Sequence, residues 1–232
     1  MKKKYELTDE TKRLENGRVL HRIKALMDFG DVKNGELGGW VEKEFNLSQD
    51  GGCWVGGNAY VYGDARVCDN AQVCDNARVY SHAKVYDDAL VCDNAWVSDN
   101  ARVYDEACVY SHAQVYGGAR VYSHAQVYGN ALVYGDAVIY GYAQVYGDAV
   151  ICGDAVVGEM GDYTIFQNTW SSGRWFTYTK SNDKWKVGCF YGTGDELIAK
   201  AYADGKQKGR CYEKIVNLVN SLCEEQQALT AK

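Results

Sequence analysis

A mainly β solenoid, a chain wound into a prism of short strands, is the fold class the sequence predicts, and three observations predict it. A six-residue pattern, seen in "GGARVYSHAQVYGNA" at 117–131, runs from Val55 to Val157 as eighteen units with no insertion or deletion. The first position of every unit is Val or Ile, and the fifth is Ala from Ala59 to Ala155. The two positions before each Ala hold pairs such as Gly-Asp, Asp-Asn or Ser-His.

Alternate residues of a strand face the same way. Ala and the Val two positions later therefore point inward together, while the residue between them and the Tyr after Val point outward. Gly, Asn and Asp tolerate the left-handed backbone that a corner needs. Six residues thus make one short strand and one corner. Such units cannot build a flat sheet, but they can build a coil, and stacked coils bury a continuous column of Val and Ala.

The order aliphatic, x, x, x, small, x resembles the hexapeptide repeat of left-handed parallel β-helices, best known from acyltransferases, in which three units make one coil. The resemblance covers about half the chain. It implies a left-handed parallel β-helix of about six triangular coils, roughly 29 Å tall at the usual spacing between strands. One departure is the Tyr or Cys after the aliphatic residue, where that family more often has a small or acidic one.

Residues 1–50 are expected to form an N-terminal cap, because a solenoid end exposes unpaired strand edges. "RVLHRIKAL" shows apolar alternation, and "LGGWVEKEF" reads as a Gly-rich turn. "DFGDVKNGELGGWVEKEFNLSQDGGCWV" resembles the leader of bacterial and phage-borne hexapeptide-repeat proteins labelled polymer-forming, a family that brings no established reaction with it. Residues 51–160 form the β-helix. Residues 161–232 read as a small C-terminal α+β domain, a cap or interaction domain. "YTIFQ", "RWFTYTK" and "WKVGCF" are its strands, and "TGDELIAKAYA" and "RCYEKIVNLVNSLCEE" its helices, the first capped by Thr193 or Asp195. Val138, Val150 and Val156 are outward apolar positions on the last coils, suited to receive that domain.

Composition narrows the function classes. The 232 residues include no proline, 25 glycines and 19 tyrosines against five phenylalanines, which places aromatic rings where a hydroxyl can meet water. A hydrophobic content of 47% argues against disorder. The basic start "MKKKYELTDE" is followed by no apolar stretch, and no run of apolar residues is long enough to cross a membrane. A soluble, cytoplasmic protein without a membrane partner is expected. The nine cysteines never form C-x-x-C and read as small, tolerated side chains, with neither a metal site nor a disulfide framework. Carboxylates and Lys plus Arg number 10 and 10 in residues 1–50, 14 and 5 in 51–164, and 7 and 10 in 165–232. That balance speaks against double-stranded nucleic acid as a partner.

With eighteen residues per coil, side chains eighteen apart stack. One face then carries Arg66, Lys84, Arg102 and Arg120 on consecutive coils beside Tyr86, Tyr104, Tyr122 and Tyr140, and these eight are the candidate partner or ligand face. A second face carries Tyr62, Tyr80, Tyr116 and Tyr134 with Trp96. The third carries Tyr110, Tyr128 and Tyr146 with Gln72, Gln126 and Gln144. Cations along a tyrosine ladder suit an anionic planar ligand. The bland alternative is that the stems shield the sheet while Asp69, Asp87, Asp88, Asp105 and Glu106 neutralise the charge.

The leading functional expectation is a non-enzymatic binding or assembly module with no cofactor and no catalytic residues. It acts through its tyrosine-lined faces on a protein partner or on itself. A phage-borne anti-defence or inhibitor protein that captures a nucleotide on the Arg/Lys-Tyr face is the alternative, and an acyltransferase is a second. Acyl transfer needs an oriented His as general base. His82, His112 and His124 fall on three different corners and read as turn residues able to adopt positive φ. "GTGDEL" at 192–197 reads as a helix cap rather than a phosphate loop, since it lacks the Lys of a P-loop.

Overall fold

The computed structural model describes residues 3–230; the outermost residues of the expected cap and of the C-terminal domain, 1–2 and 231–232, lie outside the described residues. Two compact units divide the chain, residues 1–162 and 163–232.

The first unit is the parallel β-solenoid. Each repeat strand is two residues long and pairs in parallel with the strand three units later. Arg66–Val67 lies on Lys84–Val85, which lies on Arg102–Val103, which lies on Arg120–Val121. Three sheets of nine, six and six strands result, one per side of the prism. The first-position Val and Ile and the fifth-position Ala of the repeat are buried, each 0–1% exposed, as inward-facing methyls and isopropyl groups should be.

About seven turns are present, because the winding begins before the repeat. Strand β3 (Leu37–Val41) pairs in parallel with Tyr60–Val61, and Leu47 bridges Val67. The glycines of the expected Gly-rich turn in "LGGWVEKEF" therefore lie in a strand, and the chain turns only after Val41, through a short 3-10 helix at Glu44–Asn46. Its glycines serve close approach: a Cβ on Gly38 would stand 2.5 Å from the Val55 carbonyl oxygen, and one on Gly39 2.7 Å from that of Ala59. Asn46, fully buried, donates to the carbonyls of Gly63 and Ala65 at 3.2 and 2.8 Å and ties this first turn to the next.

Each corner places its third-position residue in the left-handed region, as at Asp69 (φ 59°) and Asp105 (φ 56°). This corrects the reading of the histidines as positive-φ residues. The left-handed residues are Ser81, Ser111 and Ser123, one position before His82, His112 and His124.

Strands β1 (Tyr5–Arg13) and β2 (Val19–Ala25) form an antiparallel hairpin that joins the nine-stranded sheet through β2 on β3. Lys4, 3% exposed, directs its ammonium at the carbonyls of Asp50, Gly51 and Cys53 at 3.3, 3.2 and 3.0 Å. The Tyr5 hydroxyl lies 2.6 and 2.7 Å from the carbonyls of Glu44 and Leu47. Carbonyls that no further coil can satisfy are met by the cap.

The second unit holds an antiparallel sheet of four strands, Tyr163–Gln167, Trp175–Thr179, Lys184–Val187 and Phe190–Gly192. The single strand expected in "WKVGCF" breaks at Gly188 (φ 58°), which turns the chain into a fourth strand. Helices α1 (Gly194–Asp204) and α2 (Lys206–Thr230) share a core with the sheet, centred on Phe176, Trp185, Leu197, Tyr212 and Val216. Thr193 caps α1: its hydroxyl accepts from the Glu196 N–H, while Glu196 Oε2 accepts from the Thr193 N–H at 2.8 Å. A carboxylate of the chain itself thus sits at the helix start where a phosphate would bind.

Candidate binding faces of the solenoid

The register of the coils brings the eight candidate residues onto one side of the prism. Arg66, Lys84, Arg102 and Arg120 are direct partners on successive strands. The rings of Tyr86, Tyr104 and Tyr122 stack with centroids 4.9 Å apart and planes within 7°, and Tyr140 continues the stack at 5.7 Å. Partial burial among these rings raises the Tyr86 and Tyr104 hydroxyl pKa values above the usual range.

The corner acids do not pair with this row. Asp69 Oδ2 accepts the backbone N–H of Asp87, Asp87 Oδ2 that of Asp105, and Asp105 Oδ2 that of Ser123, at 3.4, 3.3 and 2.9 Å. Asp88 accepts from the Asn70 amide at 3.1 Å, and Glu106 faces His124 Nδ1 at 3.1 Å. Among the described residues, none of the four cations makes an ion pair, and Arg66 lies over the Phe45 ring at 5.8 Å. Like charges one strand apart repel by about 1 kcal/mol in water, less with salt, so the fold tolerates the row. What remains is a strip of cations without a direct ion pair, beside a flat aromatic wall.

The other two faces differ chemically. On the third face the Tyr110 and Tyr128 hydroxyls donate to Gln126 and Gln144 Oε1, each at 3.3 Å, so these polar groups satisfy one another. On the second, Tyr62–Tyr80 and Tyr116–Tyr134 stack at 5.1 and 4.9 Å, separated by the coil that carries Ser98.

This second face also holds what the sequence did not disclose. The hairpin lays Lys12 and Arg22 over Trp40 at 5.6 and 5.3 Å, and Lys12 over Tyr60 at 4.8 Å. Arg78 lies 5.6 Å from the Tyr60 ring and 5.2 Å from Trp96. Cations and rings therefore alternate along the face. The only sequence signal was the eighteen-residue spacing of Tyr60, Arg78 and Trp96; nothing periodic placed Lys12 and Arg22 there.

The histidines stand apart from one another. His82 Nε2 lies 3.5 Å from Asp64 Oδ2, and His124 stacks on Tyr142 at 4.8 Å. His21 Nδ1 lies 3.2 Å from the Thr8 carbonyl. All nine cysteines are free. Cys74, Asp75 and Cys92 bring potential metal-ligand atoms within 4.8 Å of one another, the one such group among the described residues. Burial first, then neighbouring carboxylates, push the Cys74 and Cys92 thiols up to about 12 and about 11.

Residues 71–81, 125–141 and 143–159 match the family described as the YdcK β-solenoid repeat. A stretch of 60 residues is 38% identical to a protein of Escherichia coli (strain K12) named as an uncharacterized acetyltransferase, YdcK, and covers 23% of this chain and 18% of that protein. The chain therefore spans less than a fifth of that relative's length. No helix among the described residues is long and apolar enough to cross a membrane. The six-residue period, the coils it forms and these two matches support a hexapeptide-repeat-like β-helix, similar in its repeat to the YdcK β-solenoid.

Proposed function

We propose that this protein is a non-enzymatic binding and assembly module that docks an acidic protein surface, on a partner or on a second copy of itself, along the face of Arg66, Lys84, Arg102 and Arg120. The observation that carries this reading is that the row has no ion-pair partner among the described residues while the nearby acids are committed to corner amides. Arg and Tyr favour such a role, since both are enriched at interfaces and Tyr supplies rigid contact area at low entropic cost.

The test is light scattering after gel filtration, with affinity capture from a host lysate, on wild type and on the Arg102→Glu/Arg120→Glu variant. Oligomerisation or capture at low salt, lost in the variant while its thermal melt is unchanged, supports the reading. A wild-type monomer that retains nothing, or binding indifferent to the charge reversal, sinks it. The name of the E. coli relative, an uncharacterized acetyltransferase, motivates one rival, acyl transfer, which acetyl-CoA turnover by the purified chain would reveal.

A further inference from the structure

The β1–β2 hairpin and the second face enclose a cleft of about 380 Å³ whose walls include Arg13, Leu14, Asn16, Tyr60, Tyr62 and Arg78. That volume lies within the about 300–1,000 Å³ usual for small-molecule sites. The two walls are locked together. Within the turn, Gly17 N–H donates to the Leu14 carbonyl and Arg18 N–H to Asn16 Oδ1, at 2.9 and 3.2 Å. Arg18 then grips both carboxylate oxygens of Glu42 at 2.8 Å, and Glu42 Oε2 accepts the Gly63 N–H at 2.7 Å. This charge-assisted contact, one guanidinium nitrogen shared between the two carboxylate oxygens, ties the hairpin tip to the first turn.

The charge is unbalanced. Arg13 and Arg78 line the cleft without an ion-pair partner among the described residues, and Lys12 stands over the Tyr60 ring. Glu15 also lines it but pairs with neither guanidinium. Two guanidiniums against one carboxylate leave the lining net positive, which suits an anion. Arg78 is pre-oriented by the Tyr60 and Trp96 rings, so little side-chain freedom is lost when it binds. Tyr62 begins its stack: it lies on Tyr80, and in the preceding turn the residue after Val41 is Glu42, not an aromatic. Glu42, paired with Arg18, occupies that register position, so a planar ring entering the cleft packs against the part of Tyr62 that lines it.

We infer that this cleft binds a nucleoside phosphate, its phosphates between Arg13 and Arg78 and its base against Tyr62. The site is distinct from the face proposed for docking and does not depend on it.

Calorimetric titration of the full chain with ADP, adenosine and inorganic pyrophosphate tests this. Saturable binding of ADP is expected, weakened about tenfold or more by Arg13→Ala and by Arg78→Ala, the loss that one charge-assisted contact of at least about 1.4 kcal/mol implies. Lys200→Ala, on an exposed position of α1, should leave it unchanged within about twofold, the scatter of a surface substitution. Arg13 is exposed at the end of the hairpin, so Arg13→Ala keeps the test valid if Arg78→Ala misfolds. No ADP binding, equal weakening by Lys200→Ala, or pyrophosphate binding as tightly as ADP each overturns the inference.

Discussion

The carboxylate of Asp105 accepts the backbone N–H of Ser123, 18 residues later and one coil on, at 2.9 Å. The same contact recurs from Asp93 to Ser111 at 2.8 Å and from Asp99 to Gly117 at 3.2 Å. At these corners the fourth-position N–H has a backbone acceptor in the next coil, as Asn70 has in Asp87, whereas the third-position N–H relies on the Asp below. Aspartate therefore does two jobs, adopting positive φ and supplying an acceptor. Held at the corner amides, these carboxylates make no direct ion pair with the row from Arg66 to Arg120.

Replacing Asp105 by Ala should remove both contributions and destabilise the protein by about 1–3 kcal/mol, whereas Asn, which keeps an acceptor and tolerates the left-handed region, should cost less than half of that. Urea denaturation of the two variants measures the difference; equal losses would mean the side-chain acceptor is irrelevant.

The column of the prism should show the usual cost of a cavity. Ile151, fully buried, replaced by Ala should lose about 2–5 kcal/mol, while Val156→Ala, at a position 39% exposed, should stay within about 0.5 kcal/mol. Thermal melts of both variants check the contrast.

Lys4→Met keeps the length of the stem but abandons the carbonyls of Asp50, Gly51 and Cys53. A loss of at least about 2 kcal/mol is expected, since buried carbonyls left without a donor cost about 1–3 kcal/mol each. Amide exchange in residues 50–53 should accelerate in the variant; unaltered protection there would show that the ammonium is dispensable.

Alkaline stability follows from the cysteines. Burial, then nearby carboxylates, raises Cys68 and Cys74 to about 12 and Cys92 to about 11, above the usual thiol range. A thiol with a raised folded-state pKa binds its proton more tightly when folded. Its contribution is complete below about pH 9 and is lost as pH rises toward 11–12. Denaturation midpoints should fall across that window, less steeply in Cys74→Ser/Cys92→Ser. Alkylation near pH 8 should mark exposed Cys189 before Cys74.

Helix α1 should lose about 0.5–2 kcal/mol on Thr193→Ala, because the capping hydroxyl that accepts the Glu196 N–H is gone. Circular dichroism during thermal unfolding reports it.

The eight residues of the basic face were legible in the sequence because a uniform eighteen-residue coil makes vertical neighbours a matter of counting: Arg102 must lie on Lys84 once the register holds. The His82, His112 and His124 reading missed by one position because Ser and His both suit corners, and only the backbone shows which of the two bears positive φ. "LGGWV" was misread because glycine pairs serve turns and close approaches alike, and the approach here is to Val55 and Ala59, some twenty residues away in the chain.

By itself the sequence determined the buried Val and Ala column, the parallel stacking and the order of side chains on every face, since a repeated unit passes its register to the next by local geometry alone. Tertiary structure alone decided that a hairpin from before the repeat lies across one face, bringing Lys12 and Arg13 to Tyr60 and Arg78, and that Lys4 closes the first coil. Those contacts join segments with no shared period. Their positions depend on where an antiparallel hairpin meets the edge of a parallel sheet, which the spacing of residues does not encode.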